Sequence, residues 1–433
     1  MTTLAPSTPT KQHNSKHIFW ICFLFSVLIL FRSLSNTFFY VFAGISLLVI
    51  LLSASRNAFL YLLFLLPFAS ILKTNPDNIS FFTILFFIAL LKQVVSQRSL
   101  SGKLLLLLLL LFAYCLAFSG VAQLAAIATM VAGILMIYYI GREEVDVNTA
   151  ILCFSAGICL ASVLALFSSS FPIINTFIKE ALMKLGDDNY ATRFSGLQGN
   201  PNYYTLDATV AISAIIVLQN SGKTHKMQVP FLIILSIFGI MSISKSFLLV
   251  WLLLICCWFI VATQRGIGNL MKFVFLIILL AAVGYLFAYD SINNYLFRFS
   301  EDQGSTLDAV TTGRAHLWKA YWDAFIHNVR TLFLGSGLKT VLDIGKGAHN
   351  TYLELLFSMG VVGTILLLSA IKVSMGKIIT KPIMWIPILA LAFRLLAIGI
   401  LTYDNLWFYL AIFRLLAMVV SDEPDQQLCE VKQ

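Results

Sequence analysis

His349-Asn-Thr-Tyr-Leu-Glu-Leu-Leu-Phe-Ser-Met-Gly-Val-Val-Gly-Thr-Ile-Leu-Leu-Leu-Ser-Ala-Ile371 is the stretch whose reading decides the fold. After a polar start, Thr351 to Ile371 carries a single ionisable side chain, Glu354. At 1.5 Å per residue, a helix of that length crosses a hydrocarbon core of roughly 30 Å. Inside hydrocarbon the backbone must satisfy itself, which a lone apolar segment does only as a helix.

Segments of the same character recur on both sides. Candidate spans are Ile18 to Phe31, Phe38 to Leu52, Ala58 to Leu72, Phe81 to Val95, Leu104 to Ser119, Leu124 to Ile140 and Ala150 to Ser168. Further along come Tyr204 to Leu218, Val229 to Ile243, Phe247 to Thr263, Phe273 to Phe287, Thr351 to Ile371, Ile383 to Ile400 and Trp407 to Val420. With 59% hydrophobic and 11% charged residues in 433, one soluble core has no room for this much apolar surface. The expectation is an all-α polytopic membrane protein of about 12–14 transmembrane helices, several of them short.

The formal net charge of +9 does not point to nucleic acid, because the basic residues are scattered through short loops. They read better as topology. With the N-terminus cytosolic, Arg56, Arg98, Lys103, Arg142, Lys223, Lys226, Arg265, Lys272, Lys372, Lys377 and Lys381 fall inside. The short outer loops then hold only Arg32, Lys73 and Lys245. Ile18 to Phe31 has the length of a signal-peptide core, but Arg32 follows where a small-residue cleavage site is needed, so it reads as the first span. The seven cysteines lie in apolar segments and the tail, without the spacing of a disulfide framework or a zinc knuckle.

The organisation expected is a disordered cytosolic tail (1–16), transmembrane helices (17–170), a first extracytoplasmic loop (171–203) and more helices (204–287). A large extracytoplasmic loop (288–350), C-terminal helices (351–420) and a cytosolic tail (421–433) follow. In the first loop Ile174, Phe177, Ile178, Ala181, Leu182 and Leu185 recur at helical spacing among Lys179, Glu180 and Lys184, which predicts a short amphipathic helix on the membrane face. In the second, Arg314, Leu317, Trp318, Tyr321 and Phe325 share one helical stripe, and Gly335-Ser-Gly337 and Gly345-Lys-Gly347 are turn signals.

These loops hold the residues suited to chemistry. Arg193 precedes Gly196, Gly199, Asn200 and Pro201, a turn-forming run that lets backbone amides approach an anion beside a guanidinium; the alternative is an arginine snorkelling to headgroups. Thr311-Thr312-Gly313 supplies an N-cap that would put Arg314 in a first helical turn, where an anion is already favoured, although Arg is also a common rim residue. Lys245, in Ser244-Lys-Ser246, is either an interface anchor or an anion ligand. His349 is either a hydrogen-bonded packing residue or a proton acceptor near neutral pH, ahead of His316 and His327. Asp207, Glu354, Arg394, Asp404 and Arg414 lie in or near apolar spans, so they are expected to pair with each other or line a wet cavity, with pairing the default for Arg394 and Arg414.

The outer loops contain no Asp-x-Asp, no His/Cys cluster and no nucleotide-binding glycine motif, so no metal and no cofactor is expected. Three cations and a histidine on one side point to a donor that carries its own phosphate and arrives through the membrane.

At these residues the chain resembles the O-antigen polymerase and ligase superfamily of bacterial cell-surface glycan assembly. Three features carry the resemblance: Arg193-x-x-Gly196-x-x-Gly199-Asn200-Pro201-Asn202; Gly313-Arg314-x-x-x-Trp318 followed by Gly335-x-Gly337; and His349-Asn350-x-x-Leu353 with Gly360 and Gly363 behind. Lys245 stands where many relatives carry Ser-Arg, and the long-spaced Arg-to-Gly motifs of some polymerases do not fit.

The resemblance implies a metal-independent, inverting glycosyltransferase in the bacterial cytoplasmic (inner) membrane, its active site on the periplasmic side. It further implies that Arg193 and Arg314, with Lys245, bind the diphosphate of an undecaprenyl-diphosphate-linked glycan and that His349 is at the reacting centre. Trp318, Tyr321 and Trp322 are the candidates for stacking on sugars, or equally for packing against the membrane face. The acceptor is either a lipid-linked repeat unit (a polymerase for O-antigen, capsule or exopolysaccharide) or lipid A core in lipopolysaccharide (an O-antigen ligase). A flippase and a chain-length regulator are the implied protein partners. A transporter or flippase of lipid-linked sugars is the reading from another class, and predicts two related halves with broken helices that this sequence lacks.

Overall fold

A computed structural model describes residues 10–178, 181–185, 189–223, 225–264, 266–301, 314–342, 345–378, 381–401 and 403–421. The helices in chain order are α1 (Thr10–Leu34), α2 (Thr37–Leu52), α3 (Ser55–Leu65), α4 (Phe81–Gln97), α5 (Gly102–Ser119), α6 (Leu124–Ile140), α7 (Val147–Leu166) and α8 (Pro172–Phe177). A hairpin of β1 (Ala181–Leu185) and β2 (Asn189–Arg193) follows, then α9 (Pro201–Asn220), α10 (Gln228–Met241), α11 (Lys245–Gln264) and α12 (Ile267–Glu301). The chain continues with α13 (Ala315–Ile326), α14 (Val329–Leu334), α15 (Thr351–Met375), α16 (Trp385–Leu395) and α17 (Asp404–Ser421).

Every apolar segment predicted from the sequence overlaps one of these helices, although Ala58 to Leu72 outruns α3 and Ile383 to Ile400 outruns α16, and the chain is an all-α polytopic membrane protein. Among the described residues, seven helices are long and apolar enough to cross a membrane by length and composition alone, against the 12–14 expected. Five more apolar helices are shorter: α2, for instance, has 16 residues and rises only about 24 Å.

Helix α9 is long enough but more polar, and its position explains why that is tolerated. Nearly all of Tyr204 to Leu218 is buried, packed by α7, α10, α11, α16 and α17. Its hydroxyls turn inward to its own backbone, with Thr205 Oγ1 donating to Pro201 O at 2.8 Å and Thr209 Oγ1 to Thr205 O at 2.7 Å. Asn200 caps the helix by accepting from the Asn202 N–H at 2.9 Å, and Pro201 occupies the first helical position.

The first loop departs from its prediction. Helix α8 ends at Phe177, and β1 pairs antiparallel with β2 from Ala181↔Arg193 to Leu185↔Asn189 in place of a continuing amphipathic helix. Over so few residues a helical and an alternating apolar pattern are hard to tell apart, and the partner strand supplies hydrogen bonds a surface helix does not need. Lys179 and Glu180 lie outside the described residues. Helix α12 continues to Glu301, past the end of its apolar window at Leu286, so the predicted second loop opens as helix.

Helix α15 is broken in its middle, and the break fastens the second loop to the bundle. Gly360 has φ +59° and ψ −173°, so the carbonyls before it lose their helical donors. Ser336 N–H donates to Phe357 O at 2.9 Å and Gly337 N–H to Ser358 O at 3.0 Å, while Tyr114 OH donates to Met359 O at 2.8 Å. Irregular backbone at membrane depth is tolerated when its polar groups are taken up in this way. Gly335-Ser-Gly337 is thus a backbone clamp on α15. A Cβ on Gly360 would meet the Gly335 and Phe333 backbone, in a φ/ψ region almost closed to other residues. Gly360→Ala is expected to destabilise the protein by about 2–4 kcal/mol, read as a lower thermal midpoint in detergent; an unchanged midpoint contradicts the clamp.

Of the charges expected to pair with each other or to line a wet cavity, Asp207 and Asp404 meet uncharged donors among the described residues. Asp207 accepts from Gln198 Nε2 at 2.9 Å, Asn405 Nδ2 at 3.1 Å and Tyr409 OH, and Asp404 accepts from Thr83 Oγ1 at 2.9 Å. The Arg414 guanidinium fills space left by Gly141 and Gly376. Uncharged donors meet the cost of burying a carboxylate when several converge on it.

Candidate active site

The turn between α10 and α11 draws the first cationic segment together. Ile243 holds φ +49° at its centre. The strand end docks beside it: Phe194 N–H donates to Met241 O at 3.2 Å and Arg193 Nε–H to Ser242 O at 3.1 Å. Ser244 Oγ donates to Asn202 Oδ1 at 2.8 Å. Arg193, the Asn200–Asn202 cap and Ser244-Lys245-Ser246 therefore form one assembly, with Lys245 buried at the start of α11.

Arg394 enters this assembly from α16, fully buried. Its Nη2 donates to Asn202 O at 2.8 Å and Thr205 Oγ1 at 2.5 Å, and its Nη1 to Ser244 Oγ at 3.4 Å and to Ser246 Oγ. Its Nε–H has no partner among the described residues, and none of these acceptors carries charge. One turn on, Arg314 Nη1 donates to Ala397 O at 2.6 Å. Arg193 and Arg314 both lie close enough to repel Arg394. Such crowding of guanidinium groups favours an anion.

Arg314 is itself the N-cap residue of α13, with φ −98°, not a first-turn residue. The Thr311-Thr312-Gly313 cap predicted for it lies outside the described residues. Helix α13 buries Leu317, Tyr321 and Phe325, the stripe read from the sequence. Trp318 Nε1 donates to Ala348 O at 3.1 Å and Tyr321 OH to Lys346 O at 2.9 Å, so this helix holds the loop that delivers His349.

His349 has φ +50°, a left-handed conformation uncommon outside glycine, and the residue is only partly enclosed. Asn350 then caps α15 by accepting from Tyr352 N–H at 3.0 Å and Leu353 N–H at 3.2 Å. Partial enclosure, then the Arg314 and Lys346 cations, push the imidazole below its ordinary range. The sign is that of a group kept neutral: protonation requires a lower pH than for a free imidazole. In selectively labelled protein the His349 titration is expected below that of a free histidine, and to move upward in Arg314→Ala. No movement in that variant contradicts their proximity.

A cleft of about 490 Å³ opens beside His349, lined among others by Tyr203, Tyr321, Lys339, Glu354 and Tyr403. The segment after α16 runs from the cationic cluster to the cleft: Ala397 O accepts from Arg314, Ile398 O from Thr351 Oγ1 at 2.6 Å, and Gly399, which lines the cleft, accepts through its O from Tyr203 OH at 2.8 Å.

The structure brings Arg193 and Arg314 near Arg394, places Lys245 between two serines that Arg394 holds, and sets His349 beside Arg314. The three aromatic candidates are not gathered: Tyr321 lines the cleft, Trp318 braces the loop behind it, and Trp322 is 46% exposed. His316 and His327 are exposed on and beside α13. Arg394, Glu354, Tyr203 and Tyr403 were not among the sequence candidates. Only the charge of the first two, in apolar spans, signalled them.

Residues 230–368 match the family model described as O-Antigen ligase. This segment is about a third of the chain, runs from within α10 into α15, and contains Lys245, Arg314, His349 and Glu354. It is consistent with the O-antigen polymerase and ligase superfamily and supports a glycosyltransferase-like enzyme acting on lipid-linked polysaccharide in a membrane. Arg193 and Arg394 lie outside the matched residues. No curated protein and no solved structure matches the chain.

Proposed function

We propose that the protein transfers a glycan from a polyprenyl diphosphate to an acceptor hydroxyl, without a metal and with inversion, on the outer face of a bacterial cytoplasmic membrane. The observation that carries this reading is the placement of Arg193 and Arg314 near the buried Arg394, which also holds the serines on either side of Lys245, with His349 and an open cleft alongside. Breaking the bond between the anomeric carbon and the diphosphate develops negative charge on the leaving oxygen. Guanidinium groups fixed in a partly dehydrated site stabilise that charge as it forms. His349, beside Arg314, is placed to hydrogen-bond a phosphate oxygen or the acceptor.

The acceptor on the first reading is another lipid-linked repeat unit, which makes the enzyme a polymerase. The description of the matched family favours the second reading, a ligase that passes the chain to lipid A core or another acceptor. Purified protein in vesicles, given lipid-linked repeat units and no ion gradient, tests the common chemistry: longer lipid-linked chains are expected from a polymerase, and glycan on an added core acceptor from a ligase. No transfer to either acceptor, with movement of the lipid-linked sugar across the bilayer, returns the protein to the transporters.

A further inference from the structure

We propose that Glu354 is the proton acceptor for the incoming hydroxyl and that the cleft it lines is the acceptor-sugar subsite. This inference rests on the transfer reading above and divides the labour within that site. Glu354 lies in the first turn of α15, where one hydrogen bond, from the His349 backbone N–H, reaches its carboxylate among the described residues. A carboxylate has about four acceptor positions, so most of its capacity is left over, and the residue lines the cleft.

Two glycines make room for it. A Cβ on Gly399 would collide with both carboxylate oxygens, and one on Gly347 would come within 3.4 Å of Oε1. Tyr203 and Tyr403 stand across the cleft with ring centroids 4.9 Å apart, and the Tyr203 hydroxyl is tied to Gly399 O at 2.8 Å. Fixed aromatic faces beside a carboxylate suit a sugar ring and its hydroxyls.

Electrostatics separate the roles of Glu354 and His349. A base that accepts a proton beside Arg314 and Lys346 becomes a third cation if it is the His349 imidazole, and a neutral acid if it is the Glu354 carboxylate. His349 therefore serves the diphosphate side as a neutral hydrogen-bond donor, and Glu354 serves the acceptor side.

In the step itself the acceptor oxygen attacks the anomeric carbon while its proton passes to Glu354. The bond from that carbon to the diphosphate oxygen breaks, and its electron pair leaves with the lipid diphosphate toward Arg193 and Arg314. Glu354 then returns the proton to water. The products are the new glycoside, the lipid diphosphate and one proton, and no oxidant or reductant is involved.

Glu354 also stands at a helix N-terminus, where a carboxylate is favoured for structural reasons alone, so the test needs more than loss of activity. Glu354→Gln and Glu354→Asp would be reconstituted in vesicles with a lipid-diphosphate-linked glycan and a sugar acceptor, and rates followed against pH. Glu354→Gln is expected to lower kcat by about 10²–10⁴-fold with donor KM unchanged and the acid limb of the pH profile gone, and Glu354→Asp to retain intermediate activity. Wild-type rates in Glu354→Gln overturn the proposal while leaving the transfer reading intact. So does an acid limb that disappears in His349→Ala but persists in Glu354→Gln. If Glu354→Gln neither binds donor nor runs as a single species, Glu354 belongs to the cap of α15 and the proposal falls. Wild-type protein that transfers nothing from this donor removes the transfer reading itself, and this inference with it.

Discussion

Arg314→Ala and Arg193→Ala are each expected to lower kcat for glycan transfer by about 10²–10³-fold, equivalent to roughly 2.7–4 kcal/mol of lost transition-state stabilisation. Each residue brings a guanidinium from a separate segment: Arg193 ends β2 and rests on Ser242 O, and Arg314 caps α13 and rests on Ala397 O. Neither anchoring bond lies in the hydrophobic core, so removing the side chain should leave membrane insertion and protein level unchanged. The donor diphosphate already carries about two negative charges and gains another as the glycosidic bond opens, so the loss is expected in kcat and also as a raised donor KM. Initial rates in vesicles, with protein quantified in the same preparation, make the comparison. Wild-type kcat in either variant removes that residue from the site.

Arg394→Ala is expected to cost more in stability than any other single change at this end of the bundle, about 3–5 kcal/mol. Its guanidinium is the donor to Asn202 O, Thr205 Oγ1, Ser244 Oγ and Ser246 Oγ, and so joins α9, α11 and α16 where all three are buried. Alanine leaves those acceptors without their donor, and unsatisfied buried acceptors cost about 1–3 kcal/mol each before relaxation. Arg394→Lys keeps the charge but loses the planar fork that spans four acceptors, so it should recover only part of the loss. Thermal unfolding in detergent reads the order wild type, lysine, alanine. An alanine variant as stable as wild type would mean that the three helices are held without this junction. Transfer activity should fall in parallel, because Lys245 and the Arg193 anchor sit on the turn that Arg394 holds.

The spans were legible because hydropathy over about 20 residues and the need for internal backbone hydrogen bonds are local properties. Two local readings stopped short of the structure, each for a physical reason. Between Ile174 and Leu185 the apolar spacing suits a helix, yet β1 and β2 form a hairpin whose pairing depends on Asn189 to Arg193. Asp207 was open between an ion pair and a wet cavity, and Gln198, Asn405 and Tyr409 converge on it, two of them about 200 residues away. The glycine pairs at 335–337 and 360–363 were visible as motifs, but their shared purpose, a loop clamped to a broken helix, appears only when Ser336 and Gly337 are seen to take the carbonyls that Gly360 releases.

By itself the sequence determined that this chain is a helical membrane protein and that Arg193, Lys245, Arg314 and His349 belong to the segments joining its helices, because lipid imposes those constraints residue by residue. Which cations would crowd together was decided by tertiary structure alone. Arg394 holds the carbonyl of a residue 192 positions away, and a charge in an apolar span reads the same whether it braces a helix or faces a site. Only through-space packing brings it between Arg193 and Arg314 and turns Glu354 toward a cleft.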